Sequence, residues 1–188
     1  MPDSMFKDTR SLEDVFFLKH DAALIEEMRR REAKANQKKM LAEVLGIPAE
    51  SVLNRLVEHG IHAETVAAFA LVPIVEVAWA DGKVQDAEAE VVLQAMEKRG
   101  IPKESLAYRI AEKWLQYRPD PNLMSVWKEY TRHLVATLDD QTCSDLRQST
   151  LENARLVAEA VGGFLGFGRI SDAEKKVLRE LSEAFEKQ

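Results

Sequence analysis

Apolar residues dominate the stretch Ala67–Ala80, AAFALVPIVEVAWA, where Glu76 is the single charge among fourteen residues. This pattern predicts a helix buried on most sides. At about 1.5 Å per residue it rises only about 21 Å, short of the roughly 30 Å of a bilayer core. Pro73 and Glu76 argue further against a membrane span. Pro73 lacks a backbone donor, so a kink is expected there. Asp81-Gly82 then stops the helix, and an amphipathic helix follows over Asp86–Arg99 with Val91, Val92, Ala95 and Met96 as its buried stripe.

The rest of the chain carries helical periodicity that can pack around this pair. A first helix is expected from Ser11, with Leu12, Val15, Phe16, Leu18, Ala22, Ala23 and Ile25 on an apolar face and Gly46 and Pro48 at its end. Arg29 and Glu32 fall on the next seam positions, which argues against a long coiled coil. Pro48–His59 reads as a short helix buried through Val52, Leu53, Leu56 and Val57. Beyond Gly100 and Pro102, Lys103–Tyr117 should bury Leu106, Ile110, Trp114 and Tyr117, and Asn122–Leu138 should bury Leu123, Trp127, Tyr130, Leu134 and Leu138. A further helix opens at Asp139-Asp140 and carries Cys143, Leu146, Thr150, Ala154 and Val157 on one face; the last runs over Asp172–Glu186.

Composition narrows the function classes. The 188 residues are 46% apolar and 31% charged, which suits one helical domain with an appendage. A formal charge of −6 argues against a dedicated nucleic-acid binder. One cysteine, Cys143, and an N-terminus without an apolar run are expected of a cytoplasmic protein. No phosphate loop, HExxH or nucleophile–base pair is present, so no catalytic residue is expected and the chain reads as a non-enzyme. His59 and His62 are separated by a helix-ending glycine and have no cysteine nearby, a weak zinc pattern.

Two clusters carry candidate chemistry. The first helix turns basic at Arg29, Arg30, Arg31, Lys34, Lys38 and Lys39, with only Glu32 opposing. This run is either a solvated face or a contact surface for an acidic protein partner, a second copy, or anionic headgroups at a membrane surface. The second cluster is the acidic turn. Asp81 at a helix C-terminus opposes the macrodipole, which Lys83 or a bound cation would offset. Glu88 either reaches back to the backbone of Gln85 as a capping box or points at Asp81 to share a cation. A standard EF-hand is excluded, because Trp79 and Val77 stand where a calcium loop needs oxygen ligands.

The turn recurs. Gly82-Lys83-Val84-Gln85-Asp86-Ala87-Glu88 aligns with Gly168-Arg169-Ile170-Ser171-Asp172-Ala173-Glu174, and each copy begins an amphipathic helix. The glycines at 162, 163, 166 and 168 cluster around Phe164, Leu165 and Phe167 in the manner of a close helix approach. The expected architecture is therefore an all-α multi-helix bundle. It holds two pseudo-equivalent helix–turn–helix units over residues 61–188, with an N-terminal helical extension over 1–60.

On the residues ValAlaTrpAlaAspGlyLysVal at 77–84, Asp86-Ala87-x-x-Glu90, and GlyArgIleSerAspAlaGlu at 168–174, the chain resembles the tellurite-resistance protein B (TerB)-like family over about Glu64–Gln188. The resemblance implies a compact helical fold, a stress-associated role and, in some members, acidic residues that bind a divalent metal such as calcium or magnesium. Asp81, Asp86 and Glu88 match the first acidic turn; in the second copy Phe167 stands in place of Asp81, leaving Asp172 and Glu174. Tellurite resistance itself is not expected of so divergent a chain. Two functions follow as expectations: a non-enzymatic helical interaction module with a protein partner or a second copy, or a cation-binding stress-response protein using Asp81–Glu88. Three side-chain ligands are few for a hard cation that takes about six oxygens, which favours the first.

Overall fold

All regular structure among the described residues of the computed structural model, 5–46, 49–160 and 170–186, is helical, with side chains described from Ala22 onward. The glycine cluster of 162–168, Pro48 and the side chains of Leu12, Val15, Phe16 and Leu18 lie outside what is described. Helix α1 (Met5–Leu45) is continuous for 41 residues, about 60 Å at the α-helical rise. It starts at Met5 rather than Ser11, because nothing between Met5 and Arg10 breaks a helix. Every side chain from Ala22 to Asn36 is exposed, including the apolar Leu24, Ile25 and Met28. This part of α1 projects from the body. Contact with the core begins at Leu41, which is 0% exposed.

Helix α2 (Glu50–Glu58) buries Val52, Leu53, Leu56 and Val57, the stripe its sequence predicts. It packs between α1 and α7 (Asn122–Val135). A polar clamp reinforces the second contact. The Arg55 guanidinium pairs with Glu129 and donates from Nη2 to Ser125 Oγ at 3.2 Å, while Ser51 Oγ donates to Glu129 Oε1 at 3.2 Å. Leu41, Val52 and Leu56 share one apolar cluster with Val75, Val126 and Leu181. The core thus runs across the 60/61 boundary expected from sequence.

The single kinked helix expected over Ala67–Ala80 is instead two helices, α3 (Val66–Phe69) and α4 (Val72–Ala78). Pro73 lies in the first turn of α4, where a missing N–H leaves no bond unmade. The break therefore falls ahead of the proline, at Ala70-Leu71. All seven residues of α4 are buried. Five helices cover it: α5 (Asp86–Lys98), α6 (Leu106–Gln116), α7, α8 (Asp140–Ala160) and α9 (Asp172–Glu183). Its one charged side chain, Glu76, accepts from Arg118 Nη2 at 3.2 Å through Oε2, and Oε1 has no hydrogen-bond partner among the described residues. Trp79, next in line, donates from its indole nitrogen to the Trp114 carbonyl at 2.7 Å, tying the end of α4 to α6.

Helix α6 corrects one expectation. Its buried face is Ala107, Tyr108, Ala111 and Leu115, not Leu106, Ile110, Trp114 and Tyr117. Leu106 is exposed, and Tyr117 is 68% exposed. The helix is turned by one residue, about 100°, from the face its largest side chains suggest. Ala107 and Ala111 let it lie close against its neighbours α3, α4 and α5, and Ile110 and Trp114 flank the contact half-buried. None of the described helices is long and apolar enough to cross a membrane.

The division of α1 into a projecting arm and an anchored end gives a direct stability test. Leu41→Ala should lower unfolding free energy by about 2–5 kcal/mol, as expected for a fully buried leucine. Met28→Ala, at a position 61% exposed, should stay within about 0.5 kcal/mol of the parent. Urea melts followed by circular dichroism would separate them, and equal midpoint shifts for the two variants would contradict the described placement of α1.

Candidate functional site

The acidic turn is built by the ends of α4 and α5. Beyond Trp79 the chain makes a tight turn, with Gly82 N–H donating to the Trp79 carbonyl at 3.0 Å and Gly82 at φ 93°, a conformation that glycine alone adopts without strain. Asp81 is exposed and its Oδ1 accepts from Lys83 N–H at 3.1 Å. This local bond orders the turn and fills one acceptor of the carboxylate. Asp86 is exposed at the first position of α5, where its charge suits the helix dipole. Glu88 is different: it is 3% exposed and its Oε2 accepts from Gln85 N–H at 2.7 Å. The backbone-capping arrangement open to it in sequence is therefore formed.

Helix α9 begins in the same way. Ser171 Oγ accepts from Glu174 N–H at 3.2 Å, and Glu174 Oε2 accepts from Ser171 N–H at 2.6 Å. Glu174, like Glu88, is buried. The spacing in sequence marks both glutamates as caps but gives no sign that they meet. In the fold Glu174 lies within Coulombic reach of Glu88, as does Asp81. Burial, above all, pushes the Glu88 carboxyl above its ordinary range; the Gln85 amide draws it back down, Asp81 and Glu174 push it up again, and Lys83 draws it down. Asp172, the remaining acid of the second copy, is exposed and paired with Lys175 at 3.0 Å.

Asp81, Asp86 and Glu88 do not converge as a ligand set. Among the described residues no group of three or more His, Cys, Asp or Glu side chains is placed to hold a metal ion. His59 and His62 are also apart in role: His59 Nδ1 faces Asp120 Oδ2 at 3.4 Å, and His62 Nδ1 is buried without a hydrogen-bond partner among the described residues.

The basic run occupies the projecting part of α1 and its approach to the body. Arg29, Arg30, Arg31 and Lys34 are exposed, and Lys38 is half-buried. Arg31 pairs with Glu27 at 2.5 Å and Lys38 with Glu50, the first residue of α2, at 3.1 Å. Arg29, Arg30 and Lys34 have no ion-pair partner among the described residues. Arg30 and Lys34, four residues apart, share one face of the helix. Comparison with protein-family signatures, curated proteins and solved structures finds no match.

The raised Glu88 pKa has a definite sign for stability. A carboxyl whose folded pKa exceeds its unfolded value, near 4.5, disfavours folding once ionised. Its contribution is fully favourable below that value and is lost as pH rises through the folded pKa. Glu88→Gln keeps an oxygen for the Gln85 amide and removes the titration. The variant should match the parent at pH 4 and below and exceed it in stability at pH 7, measured by urea unfolding across that range. A parent more stable than the variant at pH 7 would show that the carboxylate charge favours the fold.

Proposed function

We propose that this chain is a non-enzymatic helical interaction module, of the stress-associated kind that the TerB-like resemblance implies, with α1 as the arm that meets its partner. The observation that carries this reading is the run from Ala22 to Asn36, which is exposed throughout. Along it, Arg29, Arg30 and Lys34 stand without counter-charges from the described residues. Long helices with exposed leucine, isoleucine and methionine gain from being covered, and the cations beside Leu24, Ile25 and Met28 favour an acidic protein surface or the acidic face of a second copy. Anionic headgroups offer the same charge without an apolar complement of fixed shape. The cytoplasmic setting belongs to this proposal and rests on the single cysteine.

The TerB-like reading is itself part of the proposal. It is supported by the matched capping arrangements at Gln85–Glu88 and Ser171–Glu174 and by the packing of both following helices, α5 and α9, on α4 and α8. That is how two pseudo-equivalent units would share a core.

Charge reversal tests the arm. Arg29→Glu, Arg30→Glu and Arg31→Glu together should leave the melting temperature within a few degrees of the parent, since exposed charges add little to stability. The same triple change should abolish the protein's association, read as self-association by light scattering at rising concentration and as capture of an acidic partner in a pull-down. Association unchanged by the triple reversal sinks the proposal.

A second reading, a divalent-cation-binding stress-response protein using calcium or magnesium at Asp81–Glu88, draws on one observation. Asp81 and Glu174 both act against the charge of Glu88, and a cation would relieve that repulsion. A melting temperature that climbs with calcium or magnesium, and stops climbing in Asp81→Ala, would favour it. A flat response would leave these carboxylates as turn and capping groups.

A further inference from the structure

A cavity of about 310 Å³ opens between α3, α7 and α8, closed off by the ends of α1, α5 and α9. Its volume lies at the lower end of the roughly 300–1,000 Å³ typical of small-molecule sites. Two edge-to-face aromatic pairs wall it: Phe69 with Tyr130, ring centroids 5.6 Å apart, and Trp127 with Phe185, 6.0 Å apart. Phe69, Trp127 and Phe185 are buried, so these walls are held by the core itself and not by mobile surface groups.

The polar groups on the described lining are one guanidinium and a few hydroxyls. Among the described residues Arg99, the C-cap of α5, is the only charged side chain on its lining, and no carboxylate lines it. The Arg99 guanidinium makes one long contact, from Nη1 to the Ala95 carbonyl at 3.4 Å, and has no ion-pair partner among the described residues. Ser149 and Thr150 on α8, and Tyr130 and Thr131 on α7, add hydroxyls to the lining. Arg99 and Ser149 are exposed, whereas Phe69, Trp127 and Phe185 are buried and Tyr130 is half-buried. The cavity therefore grades from a largely apolar interior, which also carries the buried Thr131, to an exposed edge bearing Arg99 and Ser149. That gradient is complementary to a molecule with an apolar body and one anionic end.

We propose that this cavity binds a small anionic amphiphile, a medium-chain carboxylate, with the alkyl chain between Phe69, Tyr130 and Trp127 and the carboxylate at Arg99. The arginine keeps water on one side while its planar donors meet the two carboxylate oxygens, so the charge pair forms without full desolvation of either ion. The alkyl chain replaces an apolar void that offers its lining no contacts. Of the described lining residues one, Leu45, belongs to α1, at its anchored end, and none belongs to the acidic turn.

Isothermal titration of the full-length protein with decanoate, below its micelle concentration, tests the proposal. Saturable one-to-one binding is expected, with decanol, the uncharged analogue, binding at least about tenfold more weakly for want of the charged contact. Arg99→Gln should weaken decanoate about tenfold and leave decanol unchanged. Thr150→Trp, which fills the cavity from a half-exposed position on α8, should remove binding of both while the circular dichroism spectrum stays helical. No saturable heat with decanoate overturns the proposal. So does decanoate binding that survives both substitutions, and decanol binding as tight as decanoate shows that Arg99 does not read the charge.

Discussion

A seven-residue helix buried on every side is the constraint from which the rest follows. Each large apolar side chain of α4 contributes about 1.5–3 kcal/mol when removed from water, but only if neighbours cover all of its faces. One or two helices cannot do so. Five helices surround α4, and their lengths, turns and faces are read most simply as the means of closing that shell. The helix accommodates a charge on the same terms. Glu76 is buried within this shell, and the Arg118 guanidinium, itself half-exposed, reaches in to pair with it. The ion pair thus joins the most buried helix to the chain between α6 and α7 without carrying both charges into the interior.

The same shell carries two helix starts of one kind. Helices α5 and α9 both pack on α4 and α8, and each begins with a buried glutamate that satisfies a backbone amide. A capping glutamate contributes most where it is shielded from water, and shielding is what raises the energy of its charge. The proximity of Asp81 and Glu174 to Glu88 adds repulsion to that burial. Local helix termination and long-range electrostatics therefore act on the same carboxylate in opposite directions.

Outside the shell the physics changes. Among the described residues nothing covers Leu24, Ile25 or Met28 on the arm of α1, and the one ion pair along it, Arg31 with Glu27, lies within the helix. The anchored end differs: Leu41 is in the core, Lys38 meets Glu50, and the Arg55–Glu129 clamp fastens the following helix to α7. A firmly held base with an uncovered arm is a geometry suited to contact with another molecule. The aromatic cavity is of the opposite kind, a preformed recess among the helices with the exposed Arg99 on its described lining.

Much of this was legible from residues alone. The all-helical class, the stripe Val52-Leu53-Leu56-Val57, the buried character of Leu71–Ala78 and the capping role open to Glu88 follow from periodicity and from spacing within one turn, which are properties of neighbouring residues. Three features were not. Pro73 reads as a kink in sequence, yet it lies in the first turn of α4, because whether a proline interrupts or opens a helix depends on where the preceding turn can end. The buried face of α6 centres on Ala107 and Ala111, since close approach to α3, α4 and α5 outweighs the size of Leu106 and Tyr117. Finally, the Coulombic reach of Glu174 to Glu88, and the one cavity that Arg99 shares with Phe69, Tyr130 and Trp127, join residues far apart along the chain. Periodicity tells each helix which face to bury, but only the packing of all the helices around α4 decides which buried faces confront one another.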